Sequence, residues 1–135
     1  MYRPWLEEVY RQDWRSLSAL NQALIQKIAR DFLGIRTQFC QSSDFPSQGK
    51  RSEKLLSLLK SAGASTYVSG PAARSYLELP AFREAGIEVI WKDYAGYPAY
   101  PQRSGEFYPA VSILDLLLNA GEKAPELIWG WRRRS

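Results

Sequence analysis

Short extended segments alternate with helical segments in the middle of the sequence, and this alternation limits the fold more than any other feature. Three segments have the β-branched and aromatic composition of strands: residues 35–41, 66–68 and 87–91. Helical patterns separate them, at 51–63 and at 71–85 with an interruption at Pro80. Because such crossovers are right-handed and place successive strands parallel, the pattern predicts an α/β fold. We expect a three-layer-like arrangement in which flanking helices cover a parallel sheet of about three strands joined by βαβ crossovers.

A further helix is predicted before the first extended segment. Apolar residues recur there at the period of a helix with one buried face: Leu17, Leu20, Leu24 and Ile28. This period predicts a helix over residues 13–33, with Asp13 or Ser16 as its N-cap. Gly34 suits the left-handed conformation that ends a helix.

The region between residues 93 and 109 is rich in tyrosine, proline and glycine, which predicts a long ordered loop. Its five aromatic side chains suit stacking on a sugar or a nucleobase, and they equally suit packing over the edge of the sheet. Beyond the loop, Ser112 is predicted to cap a helix that runs to Gly121. Asp115 stands where the acid of a capping box is expected.

The length and composition predict one ordinary folded domain over residues 1–135. A chain of 135 residues and 15.4 kDa with 45% hydrophobic and 24% charged residues buries enough surface to fold without disulfides. No apolar run is as long as a membrane helix requires, and the first residues lack the core of a signal peptide. We therefore expect a cytoplasmic protein that makes no membrane contact.

Two residue counts remove much common chemistry. The sequence has no histidine, so Ser-His-Asp and Cys-His catalytic sets and histidine metal sites cannot be assembled from this chain alone. Its single cysteine, Cys40, excludes an internal disulfide and any multi-cysteine metal site. We predict no metal site and no cofactor. Cys40 is a candidate nucleophile, but its place in the first predicted strand favours a buried small apolar side chain.

The positive charge is concentrated at one end of the sequence. The formal net charge is +4, and Arg132, Arg133 and Arg134 supply three of the 18 basic residues. The rest of the sequence is nearly neutral. Residues 132–135 are therefore interpreted as a solvated basic tail, and we predict no nucleic-acid binding.

Candidate binding residues follow the predicted strands. Ligands of open parallel sheets bind beyond the carboxyl ends of the strands, where the loops converge. These loops begin with Ser42, Ser43 and Asp44, with Ser69, Gly70 and Pro71, and with Asp93 and Tyr94. The second resembles an anion cradle in which Arg74 adds positive charge, and Lys50 and Ser52 open the preceding helix. The alternative is that these are ordinary turn and helix-start residues.

Carboxylates offer a second kind of site. Four of them are candidates for proton transfer or for binding a hard cation if two lie close together: Asp44, Asp93, Glu106 and Asp115. The alternatives are a capping role for Asp115 and a solvated loop position for Asp93. Spacing in the sequence does not decide which carboxylates meet.

Five sequence blocks resemble the C-terminal half of the WbqC-like protein family, over about residues 14–121. The blocks are residues 49–56, 66–77, 82–89, 100–102 and 112–117. The resemblance implies a role near bacterial surface-polysaccharide (O-antigen and lipopolysaccharide) gene clusters, with amino-sugar acyl or aminoacyl transfer as the expected chemistry. It also implies family-typical positions: Ser52, Glu53, Ser69, Gly70, Pro71, Tyr76, Tyr100, Gln102 and Asp115.

The chain departs from the family pattern in one respect. Family members usually begin with a segment that contains His-Gln-Pro, and that segment and its histidine are missing here. We therefore expect an isolated ligand-binding half, a degenerate copy, or a component that a partner chain completes. Apolar surface left near four tryptophans would favour a homodimer. These tryptophans are Trp5, Trp14, Trp129 and Trp131.

Two classes of function follow from the sequence. The first is a protein of polysaccharide-precursor metabolism that binds an anionic, sugar-nucleotide-like ligand at the edge of the sheet. The second is a non-catalytic module that pairs with a partner or with itself. The residues do not decide whether the protein is an enzyme. The predicted ligand-binding residues are Lys50, Ser52, Ser69, Gly70, Pro71, Arg74, Asp93, Tyr94, Tyr100 and Gln102.

Overall fold

The computed structural model describes residues 2–103 and 105–130. The chain packs as two compact units, one comprising Met1–Gln38 with Gly96–Ser135 and the other Phe39–Ala95. The expected basic tail at 132–135 lies outside the described residues. A single domain over the whole chain stays a prediction.

The described residues form five α-helices and two β-strands. The helices are α1 (Tyr2–Arg11), α2 (Leu17–Lys27), α3 (Arg51–Ser61), α4 (Leu79–Glu84) and α5 (Ile113–Ala120). The strands are β1 (Thr66–Ser69) and β2 (Glu88–Trp91). Single turns of 3-10 helix lie at Ser42–Asp44, Pro71–Ser75 and Gly121–Lys123, and π-helical turns lie at Ile28–Phe32 and Glu126–Gly130.

The second unit is built on the parallel pair β1 and β2. Thr66 pairs with Glu88 and Ser69 with Trp91, and the connection between the strands contains α4. Helices and a parallel sheet confirm the α/β class. Tyr67, Val89 and Trp91 point to one face of the sheet, where they pack on a buried cluster. Three buried residues form the centre of this cluster, and helix α3 adds three leucines to it: Leu77, Phe82 and Ile87, with Leu55, Leu56 and Leu59.

The expected third strand is not confirmed. Residues 35–41 pair with no strand among the described residues, and the sheet there has two members. The segment instead connects the two units, because Ile35 packs on the core of the first unit and Phe39 begins the second. A β-branched and aromatic composition favours extended backbone, but a strand also needs a neighbour for its N–H and C=O groups. Cys40, expected to be buried in this strand, is exposed.

The first unit contains the predicted helix before this segment. Ser16 is its N-cap, with the Oγ atom accepting a hydrogen bond from the N–H of Ala19 at 3.1 Å. Gly34 has a φ of +65°, as its predicted role at the helix end requires. The last turn is π-helical, and its Phe32 ring meets Tyr2 and Trp5 edge-on at 4.8 and 4.9 Å. Helix α1, which supplies both of these partners, was not predicted.

Helix α5 supplies the centre of the first unit's core. Leu116 and Leu117 are buried there with Ile28, Leu33 and Ala124. As predicted, Ser112 caps α5, and its Oγ atom accepts from the N–H of Leu114 at 3.1 Å. Within residues 2–103 and 105–130, no helix has the length and apolar character needed to cross a membrane.

Candidate functional site

The carboxyl ends of β1 and β2 lie at the same edge of the sheet because the strands are parallel. The N–H of Lys92 donates to the carbonyl oxygen of Ser69 at 2.8 Å, which continues the pairing one residue beyond β2. The turns that begin at Gly70 and at Asp93 therefore leave from one edge, as the sequence predicts for these two. The turn Ser42–Asp44 follows no strand, so the expected convergence of three loops is reduced to two.

Arg74 is the cation of this edge. Its guanidinium carbon lies 5.1 Å from the centre of the Trp91 ring, within the range of a cation–π contact. The side chain is exposed, and among the described residues no carboxylate forms an ion pair with it. An indole face thus limits the positions of the guanidinium while its N–H groups stay available for an anion.

Tyr94 lies against the turn that follows β1. A Cβ atom added at Gly70 would be 3.5 Å from the phenol oxygen of Tyr94, so the ring of an exposed tyrosine rests beside a backbone without a side chain. Asp93 fixes this turn, since its Oδ1 atom accepts from the N–H of Ala95 at 2.9 Å. The edge therefore combines an exposed phenol, an exposed carboxylate and the guanidinium of Arg74.

The anion cradle predicted from backbone N–H groups is weaker than expected. Pro71 begins a five-residue 3-10 helix, Pro71–Ser75, and the expected helix through Leu77 does not form. Two of its N–H groups are already used, because Ala73 donates to Gly70 and Tyr76 donates to Ala73. Such a short helix has little dipole, so the positive charge of this edge comes from Arg74.

Two predicted ligand hydroxyls are buried. Ser52 is 5% exposed, and its Oγ atom accepts from the N–H of Glu78 at 3.2 Å, which joins α3 to the residue before α4. Ser69 is also buried, and its Oγ atom lies 3.5 Å from the carbonyl oxygen of Gly70. Both serines position the backbone around the edge. Lys50 is exposed at the N-cap of α3 and makes no side-chain capping bond.

The other family-typical positions form a separate cluster in the first unit. The phenol of Tyr100 donates to Oδ2 of Asp115 at 2.7 Å, and Nε2 of Gln102 donates to the same oxygen at 2.8 Å. Gln102 also binds the backbone of Tyr108 in both directions, at 3.0 and 2.7 Å. Asn119, one helical turn beyond Asp115, donates to Oδ1 at 3.1 Å. This tyrosine–glutamine–aspartate cluster anchors the aromatic loop to α5.

The carboxylate of Asp115 has a different role from the one predicted. The capping-box position implied a bond back to the helix start, whereas the carboxylate accepts from the loop and from Asn119. Three donors leave it little capacity to act as a free base. Burial, with the hydrogen bond to Asp115 as a second cause, raises the pKa of Tyr100, while Gln102 opposes the rise. The phenol therefore stays protonated near neutral pH and serves as a donor.

The ten predicted ligand residues thus divide between the two units. Eight belong to the unit with the sheet, and Tyr100 and Gln102 belong to the other. Sequence reasoning missed Trp91 and Asn119; the spacing of Asn119 from Asp115 on one helix was the signal available. Within the part of the chain that is described, no three His, Cys, Asp or Glu side chains gather as a metal ion would need.

Comparisons with known proteins point to one family. The WbqC-like protein family model matches residues 1–127, a range that includes α1 and extends beyond the five blocks at both ends. An uncharacterized protein of Mycobacterium tuberculosis is 44% identical over 125 residues, which cover 92% of this chain and 54% of that protein. The chain thus spans about half the length of this curated relative. No solved structure matches.

Proposed function

Because this chain belongs to the WbqC-like protein family, we propose that it acts in bacterial surface-polysaccharide precursor metabolism by binding an anionic, sugar-nucleotide-like ligand. The proposed site is the carboxyl edge of β1 and β2, and the proposed location is the cytoplasm. The observation that carries the proposal is the exposed guanidinium of Arg74, which stacks on Trp91 without a carboxylate partner among the described residues.

The stacking supports an anion site because it lowers the cost of binding. A free arginine side chain loses roughly 2 kcal/mol of rotamer entropy when it is fixed. Contact with the indole has already restricted Arg74, so less of this entropy is lost when a phosphate arrives. The planar guanidinium then offers paired N–H groups to two phosphate oxygens.

The aromatic surface of the edge supports a ligand with a ring. Tyr94 is exposed beside Gly70, where no side chain separates its phenol from the turn. A sugar or nucleobase would stack on this ring while its phosphate pairs with Arg74. Asp93 would accept hydrogen bonds from ligand hydroxyls at the same edge, and Lys50 would add charge.

The reaction in which this ligand takes part is a separate step. We propose that binding serves an amino-sugar acyl or aminoacyl transfer system, as the resemblance to the family implies. The edge residues provide recognition, and in this proposal the group that performs transfer is supplied by the rest of that system. Turnover of an amino-sugar nucleotide with an acyl donor is the measurement that would separate an enzyme from a binding protein.

Isothermal titration of UDP-N-acetylglucosamine into the full chain tests the binding proposal. We expect Arg74→Ala to weaken binding about fivefold, the upper range for an exposed charge pair. Arg83→Ala is the matched control, since Arg83 is an exposed arginine of the same unit. Uridine, which has no phosphate, should not compete. Absence of binding to the native chain, or equal losses for both variants, would contradict the proposal.

A second candidate function has its own observation. Val68 and Ile90 are register partners on the outer face of the sheet, and they are 60% and 44% exposed. Adjacent apolar side chains on an exposed sheet face favour an interaction module that pairs with another chain or a second copy. Light scattering over a range of concentrations tests self-pairing. The double variant Val68→Thr and Ile90→Thr keeps the β-branched shape and should dissociate any oligomer, whereas a chain monomeric at every concentration would exclude the homodimer.

A further inference from the structure

A groove beside α3 is separate from the edge described above. It has a volume of about 730 Å³ and lies between the turn at Ser42–Asp44 and the first half of α3. All its lining residues belong to the unit that contains the sheet, and none is among the proposed edge residues. The loop that forms one wall is fixed to the helix, because the N–H of Gln48 donates to Oγ of Ser57 at 3.0 Å. We call this cavity the α3 groove.

The polar part of the α3 groove has the composition of an anion site. Arg51 and Lys54 line it, and they lie three residues apart on one face of α3. The hydroxyls of Ser42, Ser43 and Ser47 line the opposite loop, and no aspartate or glutamate is in the lining. Across residues 2–103 and 105–130, neither cation forms an ion pair with a carboxylate. Two cations and three hydroxyl donors in one cavity match the oxygens of a phosphate group.

The remaining lining of the groove is apolar. Phe45 and Leu58 contribute to it, together with Pro46 and Leu55. A ligand with a phosphate alone would leave this surface in contact with water, whereas a ligand with an apolar body would cover it. The lining therefore favours a phosphorylated organic molecule over a simple inorganic anion.

The backbone of Arg51 is unusual for its residue type. Its φ is +50°, a left-handed value that among the described residues is otherwise adopted by glycines. Glycine adopts this conformation at little cost, while a residue with a Cβ atom is disfavoured there. The arginine side chain is therefore present at a position where its backbone is strained, as is common for residues that contact a ligand.

We propose that the α3 groove binds a phosphorylated organic molecule, with the phosphate between Arg51, Lys54 and the serine hydroxyls and its apolar part on Phe45 and Leu58. This site is additional to the edge of the sheet and does not depend on the function proposed there. Its ligand class is a phosphate monoester with an apolar or aromatic substituent.

Phenyl phosphate is a probe that contains both parts of this ligand. Titrated into the full chain, it should bind at least fivefold more tightly than inorganic phosphate, and phenol should bind more weakly than either. Lys54→Ala should weaken phenyl phosphate binding about three- to fivefold, the range for one exposed cation. Lys60→Ala is the control, because Lys60 is exposed on the same helix outside the groove.

A second variant separates binding from folding. Arg51→Gly removes the cation at a φ that glycine adopts freely, so we expect about three- to fivefold weaker binding with an unchanged or higher melting temperature. The inference is overturned if the native chain does not bind phenyl phosphate or if Lys60→Ala weakens binding as much as Lys54→Ala. It is also overturned if Arg74→Ala removes binding while Arg51→Gly does not, which would assign the probe to the edge of the sheet.

Discussion

Replacing Tyr100 by Phe removes one hydroxyl from the tyrosine–glutamine–aspartate cluster and leaves the ring in place. The lost contact is the 2.7 Å hydrogen bond to Oδ2 of Asp115. The ring keeps its edge-on packing against Phe107, with the two centroids 5.2 Å apart. The substitution therefore isolates the contribution of one charge-assisted hydrogen bond to the free energy of unfolding.

The magnitude follows from what remains around Asp115. A hydrogen bond to a charged group contributes roughly 1.5–3 kcal/mol, and more is lost when the partner is left buried without a donor. Here Gln102 and Asn119 still donate to the carboxylate, and all these groups are partly exposed. We therefore expect a loss of about 1–1.5 kcal/mol, which corresponds to a fall in melting temperature of about 4 °C for a chain of this length.

The loss should also depend on pH. The pKa of Tyr100 is raised in the folded protein from its ordinary value of 10.0, chiefly by burial. The folded state thus holds this proton to higher pH than the unfolded chain, and stability falls as pH rises above that ordinary value. The contribution of the hydroxyl is complete below the unfolded pKa, so the difference between wild type and variant should be constant from neutral pH upward and shrink above pH 10.

Urea unfolding followed by circular dichroism measures this difference at neutral and at alkaline pH. Tyr108→Phe is the control, because Tyr108 is an exposed tyrosine of the same loop that binds Gln102 through its backbone. Its effect should stay within about 0.5 kcal/mol. A Tyr100→Phe loss no larger than that of the control, or a difference that grows above pH 10, would refute the reasoning.

Three further substitutions test other contacts by the same unfolding measurement. Ser52→Ala should cost about 1–2 kcal/mol because the buried N–H of Glu78 loses its acceptor, and a loss below 0.5 kcal/mol would contradict this role. Phe82→Ala should cost about 3–5 kcal/mol since Phe82 is fully buried, and a smaller loss would mean that the cluster collapses around the gap. Gly49→Ala should cost about 1 kcal/mol or more, because φ is +86° and the new Cβ would lie 2.5 Å from Cδ of Glu53. The matched double variant with Glu53→Ala should cost less if this clash contributes.

Local patterns in the sequence predicted most of the elements correctly. The helix with the Ser16 cap, the strand ends at Ser69 and Trp91, and the left-handed Gly34 all follow from short-range chemistry. Residues 35–41 show where this reasoning fails. Extended backbone is a local property, but membership of a sheet depends on a distant partner, and no pattern within seven residues reports one.

The candidate site was predictable to a similar degree. Parallel strands required that Gly70 and Asp93 leave one edge, and resemblance to the family indicated Tyr100, Gln102 and Asp115 as individual positions. That these three form one hydrogen-bonded cluster depends on how an irregular loop folds onto α5. Loop conformation has no periodicity from which a sequence reader could derive it.

The π-helical turn at Ile28–Phe32 makes this part of the chain sensitive to residue number. A π turn accommodates one residue more than an α-helical turn of the same rise, and it preserves the direction of the helix around that extra residue. Deleting one residue here would leave an uninterrupted α-helix and turn every following side chain by about 100°. Phe32 would then no longer meet Tyr2 and Trp5. Relatives that lack this residue should therefore hold their first helix with a different aromatic partner.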